Sequence, residues 1–359
     1  MTLRTATAVI DLNALSQNYR CIQSLSPNSK VLAVLKANGY GHGLERIAKA
    51  LPNADAFGVA RIDEALALRA AGIVKPIVLL EGFFAKEDID ILAVNNLQTI
   101  VHNSQQLDAI INADLDKPLK VWLKIDTGMH RLGINPEQLE YFYQALSQSK
   151  NVQQPIVLMS HLGCADEKEN PATLKQIVLF EKLTGNMPLE KSLANSAAVL
   201  AWPQSHYQWI RPGLMLYGVS PLSSDVLVEG TSPVMTLQSS LIAVRDIEAG
   251  EAVGYSGAWV SDKATTIGVV AIGYGDGYPR HAPNGTPVLI NGRRVPLIGR
   301  VSMDMISVDL GANSNEQVGD IATLWGKGLP VEEIAELATT IPYELLCNIT
   351  RRVHIQLHE

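Results

Sequence analysis

The chain has 359 residues, of which 47% are hydrophobic and 18% are charged, and its formal net charge is −7. This composition is typical of a soluble globular protein, and the length predicts two domains at roughly 150 residues each. The negative charge, with no basic patch to offset it, argues against a nucleic-acid partner.

The sequence contains no signal for export or for membrane insertion. The N-terminus lacks an apolar core of signal-peptide length, and no later apolar run approaches the ~20 residues that span a bilayer. We therefore expect a cytoplasmic protein without a membrane partner. Cys21, Cys164 and Cys347 are odd in number and widely spaced, which predicts reduced thiols and neither a disulfide framework nor a metal site.

The segment VLAVLKANGYGHG, residues 31–43, joins an apolar run to a loop of small residues. The residues before Lys36 are all apolar, which is typical of a strand buried on both sides. Burial would disfavour the ammonium form of Lys36 and leave its free amine available as a nucleophile or base. The glycines that follow predict a tight turn. The pattern alone leaves open the alternative of a lysine that ends a strand and reaches water.

Eight short apolar runs recur between residue 31 and about residue 217, with helical patterns between them. The runs are VLAVLK (31–36), FGVA (57–60), IVLL (77–80), QTIVHN (98–103), LKVWLKID (119–126), PIVLMSHL (155–162), KSLANS (191–196) and PGLMLYG (212–218). This alternation matches a (β/α)8 barrel better than an open doubly wound sheet. Barrel enzymes place their chemistry at the carboxyl ends of the strands. Polar residues gather at those ends here: Lys36, Lys124, His161, Asn195, Ser196 and Arg211.

A helix is predicted from Asn135, because Pro136 stands at the first helical position and Gln138 at the third. Its apolar face would contain Leu139, Phe142 and Leu146.

The pattern changes to period-two alternation after about residue 225, which predicts a mostly β domain. We therefore divide the chain into a barrel domain, residues 1–225, and a β domain, residues 226–359, with the boundary in the Ser- and Pro-containing segment 220–233. Asn291 and Gly292 stand between two apolar runs and predict a hairpin turn. The segment VEEIAELATT predicts a helix.

Single residues give weaker signals. Asn195 and Ser196 precede an apolar stretch and could hold a cofactor phosphate at a helix N-terminus, although the local pattern favours Ser196 as a helix cap. Lys124 and Arg131 are two cations with only Asp126 nearby to balance them.

Other candidates are equally open from the pattern alone. His161 could be a core histidine or a catalyst. Tyr255 and Tyr274 lie in glycine-rich turns, whose chemistry accounts for the glycines but not for the tyrosines.

The motifs occur together in an order that resembles one family. VLKANGYGHG, LKIDTGMHRLG, SHLGCAD, NSAA, RPGLMLYG, VGYSGAW, IGYGDGYPR, GRVSMDM and PYELLC follow one another along nearly the whole chain. This series resembles the bacterial alanine racemases that depend on pyridoxal 5′-phosphate. The resemblance implies an α/β fold, a (β/α)8 barrel followed by a mostly β domain, in a homodimer that interconverts L-alanine and D-alanine and supplies D-alanine for peptidoglycan.

The resemblance also implies roles for barrel residues. Lys36 matches the lysine that forms the Schiff base with the cofactor and acts as one of two bases. Arg211 matches the arginine that faces the pyridine nitrogen, with His161 hydrogen-bonded behind it. Arg131 matches the contact to the phenolic oxygen, and Lys124 matches a lysine that is often carbamylated. The implied phosphate cradle consists of Tyr40, Ser196, the backbone at Gly213 and Leu214, and Tyr343.

Further roles follow from motifs in the second half of the chain. Tyr255 resembles the second base, and Met303 resembles the residue whose amide contacts the substrate carboxylate. In the family, the partner subunit supplies Tyr255, Met303 and Asp304. The implied entrance corridor contains Asp166, Tyr274, Arg280 and Arg300.

Three alternatives remain at this stage. A racemase with a wider amino-acid preference would share the same motifs, because the pocket volume depends on packing. A non-catalytic carrier of pyridoxal phosphate would have the lysine strand, but the β domain and Tyr255 argue against it. A barrel decarboxylase should have an acidic partner for the pyridine, where this chain has Arg211.

Overall fold

The structure is a computed structural model that describes residues 5–222, 228–312 and 314–358. Its strands in chain order are β1 (Thr7–Asp11), β2 (Lys30–Val34), β3 (Ala56–Val59), β4 (Ile77–Leu79), β5 (Gln98–Val101), β6 (Leu119–Lys124), β7 (Val152–Met159), β8 (Glu190–Asn195), β9 (Trp209–Arg211), β10 (Met235–Ile247), β11 (Ala252–Val253), β12 (Trp259–Val260), β13 (Thr265–Val270), β14 (Pro287–Ile290), β15 (Arg293–Ile298), β16 (Ile306–Gly311), β17 (Ile321–Trp325) and β18 (His354–His358).

Helices alternate with the first nine strands and are sparse afterwards. The α-helical segments are Leu12–Leu25, Leu44–Ala50, Ile62–Ala70, Asp88–Val94, Ser104–Ile111, Leu139–Gln148, Pro171–Thr184, Ser196–Ala201, Val331–Leu337 and Pro342–Cys347. The segment Lys36–Tyr40 is a single turn whose inner residues have positive φ. Short 3-10 turns cover Pro136–Gln138, Pro203–Ser205, Leu214–Tyr217, Tyr255–Gly257 and Tyr274–Asp276.

Contacts between residues divide the chain into two units. The barrel unit contains residues 18–216 and 221–222, and the β unit contains residues 5–17, 217–220 and the described residues from 228 onward. Each unit has its own core.

The barrel unit is a closed barrel of eight parallel strands, β2 to β9, in chain order. The ring closes where β2 pairs with β9. The strands are buried almost throughout; Leu32, Phe57 and Leu123 are 0% exposed, as expected for parallel strands covered on both faces. The predicted (β/α)8 architecture is confirmed.

The predicted eighth strand, residues 212–218, is wrong. The strand lies just before it, at Trp209–Arg211, and Leu214–Tyr217 form a buried 3-10 turn. Pro212 cannot donate a hydrogen bond to a neighbouring strand, so the ladder ends at Arg211. The apolar run was a correct signal of burial but not of strand geometry.

Two local predictions are confirmed. Asn135 and Gln138 form the capping box that opens the helical segment, and Leu139, Phe142 and Leu146 are buried on the following helix. Asn291 and Gly292 connect β14 to β15 with φ values of 50° and 79°. Both features depend on residues close together in sequence.

The β unit is built on an eight-stranded sheet in the order β13-β16-β15-β14-β17-β10-β1-β18, in which β13 also pairs with β10. All pairings are antiparallel except that of β1 with β18. The long strand β10 therefore pairs with three strands, β1, β17 and β13. The mostly β character predicted for this part of the chain is confirmed, as is the helix Val331–Leu337.

The division of the chain differs from the predicted one at the N-terminus. Residues 1–225 were assigned to the barrel domain, but β1 pairs with β10 and β18 and thus belongs to the β unit. A pairing with strands more than 200 positions away leaves no trace in the local pattern. The predicted boundary between residues 225 and 226 lies outside the described residues.

Within the described ranges, none of the helices combines the length and apolar character needed to cross a membrane.

Candidate active site

Lys36 opens a left-handed turn just beyond the carboxyl end of β2. Ala37, Asn38 and Tyr40 have φ values of 53°, 57° and 51°, in a region that residues other than glycine rarely adopt. The Asn38 side chain stabilises the turn by accepting a hydrogen bond from the Leu44 N–H at 3.0 Å. The tight turn predicted from the glycines is present. The three residues with side chains that have positive φ make its backbone strained.

Tyr40 lies against the backbone at Gly213. A Cβ atom at Gly213 would stand 2.4 Å from the Tyr40 Oη, so only glycine allows this close approach. The Ser196 Oγ accepts hydrogen bonds from the Gly213 N–H at 2.8 Å and the Met215 N–H at 3.3 Å. Because the Oγ lone pairs face these amides, the Ser196 hydroxyl hydrogen remains to be donated elsewhere. The arrangement brings two hydroxyl groups and the Gly213–Leu214 backbone together.

Asn195 and Ser196 have different functions at the start of helix Ser196–Ala201. The Asn195 side chain is the N-cap and accepts a hydrogen bond from the Ala198 N–H at 3.0 Å. It also donates to the Leu162 carbonyl at 3.4 Å. The capping alternative considered for Ser196 therefore applies to Asn195, whereas Ser196 bonds the segment that follows β9.

Lys124 is a buried lysine at the end of β6, with 5% of its surface exposed. Burial and, in decreasing order, the positive charges of Arg211, Arg131 and Lys36 together lower the pKa of Lys124 to about 7. Asp126 acts in the opposite direction but more weakly. A substantial fraction of this lysine is therefore neutral at physiological pH.

Asp126 does not neutralise these cations directly. Its Oδ1 accepts hydrogen bonds from the Gly128 and His130 amides at 2.9 and 3.1 Å, and its Oδ2 lies 3.1 Å from the His130 Nδ1. Across the described parts of the chain, neither Lys124 nor Arg131 forms an ion pair. The imbalance between the cations Lys124 and Arg131 and the single carboxylate of Asp126 is therefore also present in the folded barrel.

Arg211 ends β9 and is almost fully buried, with 4% of its surface exposed. Its Nη1 donates to the Ser192 Oγ at 2.7 Å, and its Nη2 to the carbonyl oxygens of Ser160 at 2.6 Å and Leu193 at 3.3 Å. The Nη2 also lies 3.2 Å from the His161 Nδ1. Burial lowers the pKa of Arg211 to about 10, so the guanidinium stays charged near neutrality although all these acceptors are uncharged.

His161 is held in its neutral form. Burial lowers its pKa well below the usual value, and the cations Arg211, Lys124, Arg131 and Lys36 lower it further. A neutral imidazole can accept a hydrogen bond at Nδ1, which matches the contact with the Arg211 Nη2. The resemblance placed this histidine behind the arginine, and the structure brings the two together.

Arg131 and Asp166 lie in the loops that follow β6 and β7. Both side chains are exposed. Arg131 is close enough to influence the charge state of both Lys124 and His161. The barrel unit therefore gathers Lys36, Lys124, Arg131 and Arg211 around one region at the carboxyl ends of its strands.

The β unit presents a second group of predicted residues at its surface. Tyr255, in the turn Tyr255–Gly257, is 69% exposed, and Met303 is 52% exposed. The Arg300 Nη1 donates to the Ser256 Oγ at 3.4 Å. Tyr343 is 38% exposed on helix Pro342–Cys347.

Backbone contacts join the Tyr274 and Met303 segments. The Gly275 N–H donates to the Met303 carbonyl at 2.8 Å, and a Cβ atom at Gly273 would lie 2.4 Å from that same carbonyl oxygen. Glycine is thus required for this close packing. Tyr274 and Arg280 also line a pocket of about 300 Å³ within the β unit.

An ion-pair hub that the sequence did not reveal fixes these segments. The Arg352 Nη2 donates to the Asp304 Oδ1 at 2.6 Å, and its Nε lies 3.2 Å from the Asp276 Oδ1. The buried Asp276 carboxylate also accepts the Gly273 N–H at 3.0 Å. The two segments that carry Tyr274 and Met303 therefore share a single charged support.

Several barrel residues that organise the site were also missed. The Gln176 side chain accepts from the Gly163 N–H at 3.0 Å and donates to the His161 carbonyl at 2.9 Å. The Thr127 and Ser160 hydroxyls lie 2.8 Å apart beneath the loops. Gln176 lies on helix Pro171–Thr184, and Thr127 and Ser160 follow the ends of β6 and β7, so their polar side chains gave no signal that distinguished them from surface residues.

The comparisons with known proteins agree along the chain. The family model described as alanine racemase, N-terminal domain, matches residues 10–221, and that described as alanine racemase, C-terminal domain, matches residues 234–357. An alanine racemase of Vibrio atlanticus (strain LGP32) is 58% identical over 355 residues, covering 99% of each chain. A protein of Escherichia coli O6:H1 named "Alanine racemase, biosynthetic" is 55% identical over 353 residues, covering 98% of each.

Solved structures give the same result. The biosynthetic alanine racemase from Pseudomonas aeruginosa superposes with a TM-score of 0.96 at 43% identity, covering 99% of this chain and 100% of that one. The alanine racemase from Bartonella henselae with covalently bound pyridoxal phosphate has a TM-score of 0.89 at 28% identity, covering 99% of each chain.

Replacement of Lys124 by methionine should stabilise the fold in a pH-dependent way. Below pH 7 the lysine is charged in the folded and unfolded states, so its burial cost is fully present. As the pH rises from 7 towards 10.5 the folded chain carries a neutral lysine, and the cost declines. Lys124→Met should therefore raise the free energy of unfolding by on the order of a few kcal/mol at pH 6 and by less at pH 9.

The measurement is denaturant unfolding of cofactor-free protein in bicarbonate-free buffer. Lys175→Met, at an exposed lysine on helix Pro171–Thr184, is the matched control and should show no such pH trend. Equal effects of Lys124→Met at the two pH values would contradict the assigned charge state.

Proposed function

The chain belongs to the alanine racemase family, and from this premise we propose that it interconverts L-alanine and D-alanine with pyridoxal 5′-phosphate as its cofactor. The observation that carries the proposal is the group of cationic side chains that lies with Lys36 at the barrel mouth. We further propose that the enzyme is cytoplasmic and that its D-alanine serves peptidoglycan synthesis.

The barrel residues fit an anionic, phosphate-bearing cofactor. Lys36, Arg131 and Arg211 supply positive charge that no carboxylate of the described barrel residues neutralises by an ion pair. The hydroxyls of Tyr40 and Ser196, with the backbone at Gly213 and Leu214, would hold the phosphate, with Tyr343 completing the cradle. Hydroxyl and amide donors suit an anion that is bound without a metal ion.

The cofactor, when bound, withdraws electrons from the α-carbon of the amino acid and so makes its proton removable. Arg211 would face the pyridine nitrogen. Its guanidinium stays charged and cannot accept a proton, so it disfavours protonation of the ring nitrogen. Arg211 would in this way favour return of a proton to the α-carbon over transamination.

Two bases on opposite faces of the α-carbon account for inversion. Lys36 would serve the D enantiomer and hold the cofactor covalently between turnovers, and Tyr255 would serve the L enantiomer. A phenol has a pKa of about 10, so neighbouring cations or hydrogen bonds must assist Tyr255 near neutral pH. Arg131 and the Met303 amide would bind the substrate, with Asp166, Tyr274, Arg280 and Arg300 along its entrance.

The function is tested by chiral analysis of each L-amino acid incubated with the purified holoenzyme. Alanine should be racemised, and Lys36→Ala should lower its rate by at least ~1,000-fold because both the anchor and one base are lost. Borohydride reduction and peptide mapping should find the pyridoxyl group on Lys36. A broad turnover of many amino acids would favour the wider-specificity alternative, and an adduct on Lys124 would contradict the assignment of Lys36.

We also propose that Lys124 carries a carbamate in the active enzyme. Carbamylation requires the neutral amine, whose nitrogen attacks carbon dioxide to form an N–C bond and releases a proton. The lowered pKa of Lys124, about 7, supplies that neutral form. The product is an anion among cations, so it would compensate the charge imbalance beside Arg131 and orient that side chain.

Loss of the carbamate should be reversible by small anions. Lys124→Ala should reduce racemisation at least ~10-fold, because Arg131 loses its anionic partner, and acetate or excess bicarbonate should restore part of the activity. Steady-state rates with and without added anion provide the measurement. Lys120→Ala, at the other end of the same strand, is the control; full activity of unaided Lys124→Ala would refute the carbamate.

The active unit is proposed to be a homodimer in which the partner supplies Tyr255, Met303 and Asp304. Tyr255 and Met303, with Met305 at 42% exposure, place large apolar groups at the surface of the β unit. Such a concentration of exposed apolar side chains is typical of a surface that another protein covers.

Mixing two inactive variants should restore activity if the sites are shared. In a heterodimer of Lys36→Ala and Tyr255→Phe subunits, one site keeps both bases and the other has neither. The rate per heterodimer should approach half that of the wild type. Subunit exchange is verified by mass spectrometry; exchange without recovered activity would mean that both bases come from one chain.

A further inference from the structure

Strand β8 contains an irregularity directly beside Arg211. Ser192 pairs with Trp209, and Asn195 pairs with Arg211. Between these two pairs, β8 contains one residue more than β9. Such a bulge leaves a backbone group outside the ladder. The Leu193 carbonyl at this point accepts a hydrogen bond from the Arg211 Nη2 at 3.3 Å.

Ser192 occupies the start of this bulge and is 0% exposed. Its hydroxyl donates to the Trp209 carbonyl at 3.0 Å and accepts from the Arg211 Nη1 at 2.7 Å. The donor and acceptor functions of the hydroxyl are thus both used. Because the Trp209 bond fixes the hydroxyl hydrogen, a lone pair of the Oγ is directed at the guanidinium.

The hydrogen bonds of Arg211 are unevenly distributed over its nitrogen atoms. Among the described residues, the Nη2 has three acceptors, whereas the Nη1 has only the Ser192 Oγ. The Nε–H has no acceptor among the residues that the structure describes, and it therefore remains as a donor for a ligand. Ser192 and the Nη2 acceptors together fix the plane in which this donor lies.

We propose that Ser192 is a positioning residue for the reaction, which orients the Arg211 guanidinium towards the cofactor ring without cancelling its charge. This inference rests on the proposed function. A carboxylate at the same place would also orient the guanidinium, but it would neutralise it. A neutral hydroxyl satisfies both requirements.

The expected consequence of losing Ser192 is a change in reaction outcome. In Ser192→Ala the buried Nη1 loses its acceptor, and the guanidinium can turn away from the ring nitrogen. The α-proton of alanine would then pass more often to the cofactor carbon. Hydrolysis of the carbon–nitrogen bond to the substrate would then release pyruvate. The amino group would stay on the cofactor as pyridoxamine phosphate, so the cofactor would be reduced by the two electrons that the substrate loses.

The test compares Ser192→Ala with Ser205→Ala in the holoenzyme. Ser205 is equally buried and donates to the Trp202 carbonyl at 2.7 Å, but it makes no contact with Arg211. Pyruvate formed per racemisation event should rise at least ~10-fold in Ser192→Ala, as expected for losing a hydrogen bond to a charged group. It should remain at the wild-type level in Ser205→Ala. Cofactor affinity, measured by fluorescence titration, should weaken only in Ser192→Ala.

A shape-matched pair separates hydrogen bonding from packing. Ser192→Thr keeps the hydroxyl and Ser192→Val replaces it with a methyl group of the same shape. The threonine variant should have a pyruvate ratio near that of the wild type, and the valine variant should resemble Ser192→Ala. If both variants fail to fold, the comparison with Ser205→Ala decides.

The outcomes distinguish this inference from the function on which it rests. Equal pyruvate ratios and cofactor affinities in Ser192→Ala and Ser205→Ala, with an active wild type, would overturn the positioning role alone. A wild-type protein that binds pyridoxal phosphate but racemises no amino acid would overturn the proposed function itself.

Discussion

Concentrated positive charge at the carboxyl ends of the barrel strands is the constraint on which the rest of the site depends. Arg211, Lys124, Arg131 and Lys36 all act on the charge state of His161. Removing charge from water is costly unless an opposite charge or hydrogen bonds compensate it. Here the barrel supplies uncharged acceptors, so the negative charge must come from what the site binds. A phosphate-bearing cofactor and a carbamate are two such sources.

This charge is useful only if the groups that carry it are held rigidly. Lys36 is followed by a turn in which several non-glycine residues have positive φ, a conformation that persists only when surrounding contacts enforce it. The Asn38 side chain and the contact of Tyr40 with Gly213 provide that enforcement. The strain next to Lys36 and the bulge next to Arg211 thus lie at two strand ends of one barrel. Both depart from regular geometry where a side chain must be aimed.

The sequence allowed most of the architecture to be predicted, because barrel strands, capped helices and the Asn291-Gly292 hairpin depend on nearby residues. The eighth strand was misplaced because Leu214–Tyr217 are as apolar as a strand, although they form a 3-10 turn. The membership of β1 in the β unit depends on long-range pairing. The contact of His161 with Arg211 followed from the family resemblance and not from any pattern. The contact of Ser192 with Arg211 could not be predicted from the sequence, because it depends on a bulge between two strands.

The chemistry of the Arg211 environment follows from what racemisation must avoid. An acidic residue facing the ring nitrogen would allow that nitrogen to be protonated, and the carbanionic state would then last long enough for side reactions. In the proposed mechanism, an acidic residue behind Arg211 would cancel the charge that is proposed to disfavour this protonation. Carbonyl oxygens, a neutral His161 and the Ser192 hydroxyl orient the guanidinium and leave its charge intact. If Arg211 faces the ring nitrogen as proposed, uncharged partners for its guanidinium are what the reaction needs, and this would link the buried strand residues to the outcome at the substrate.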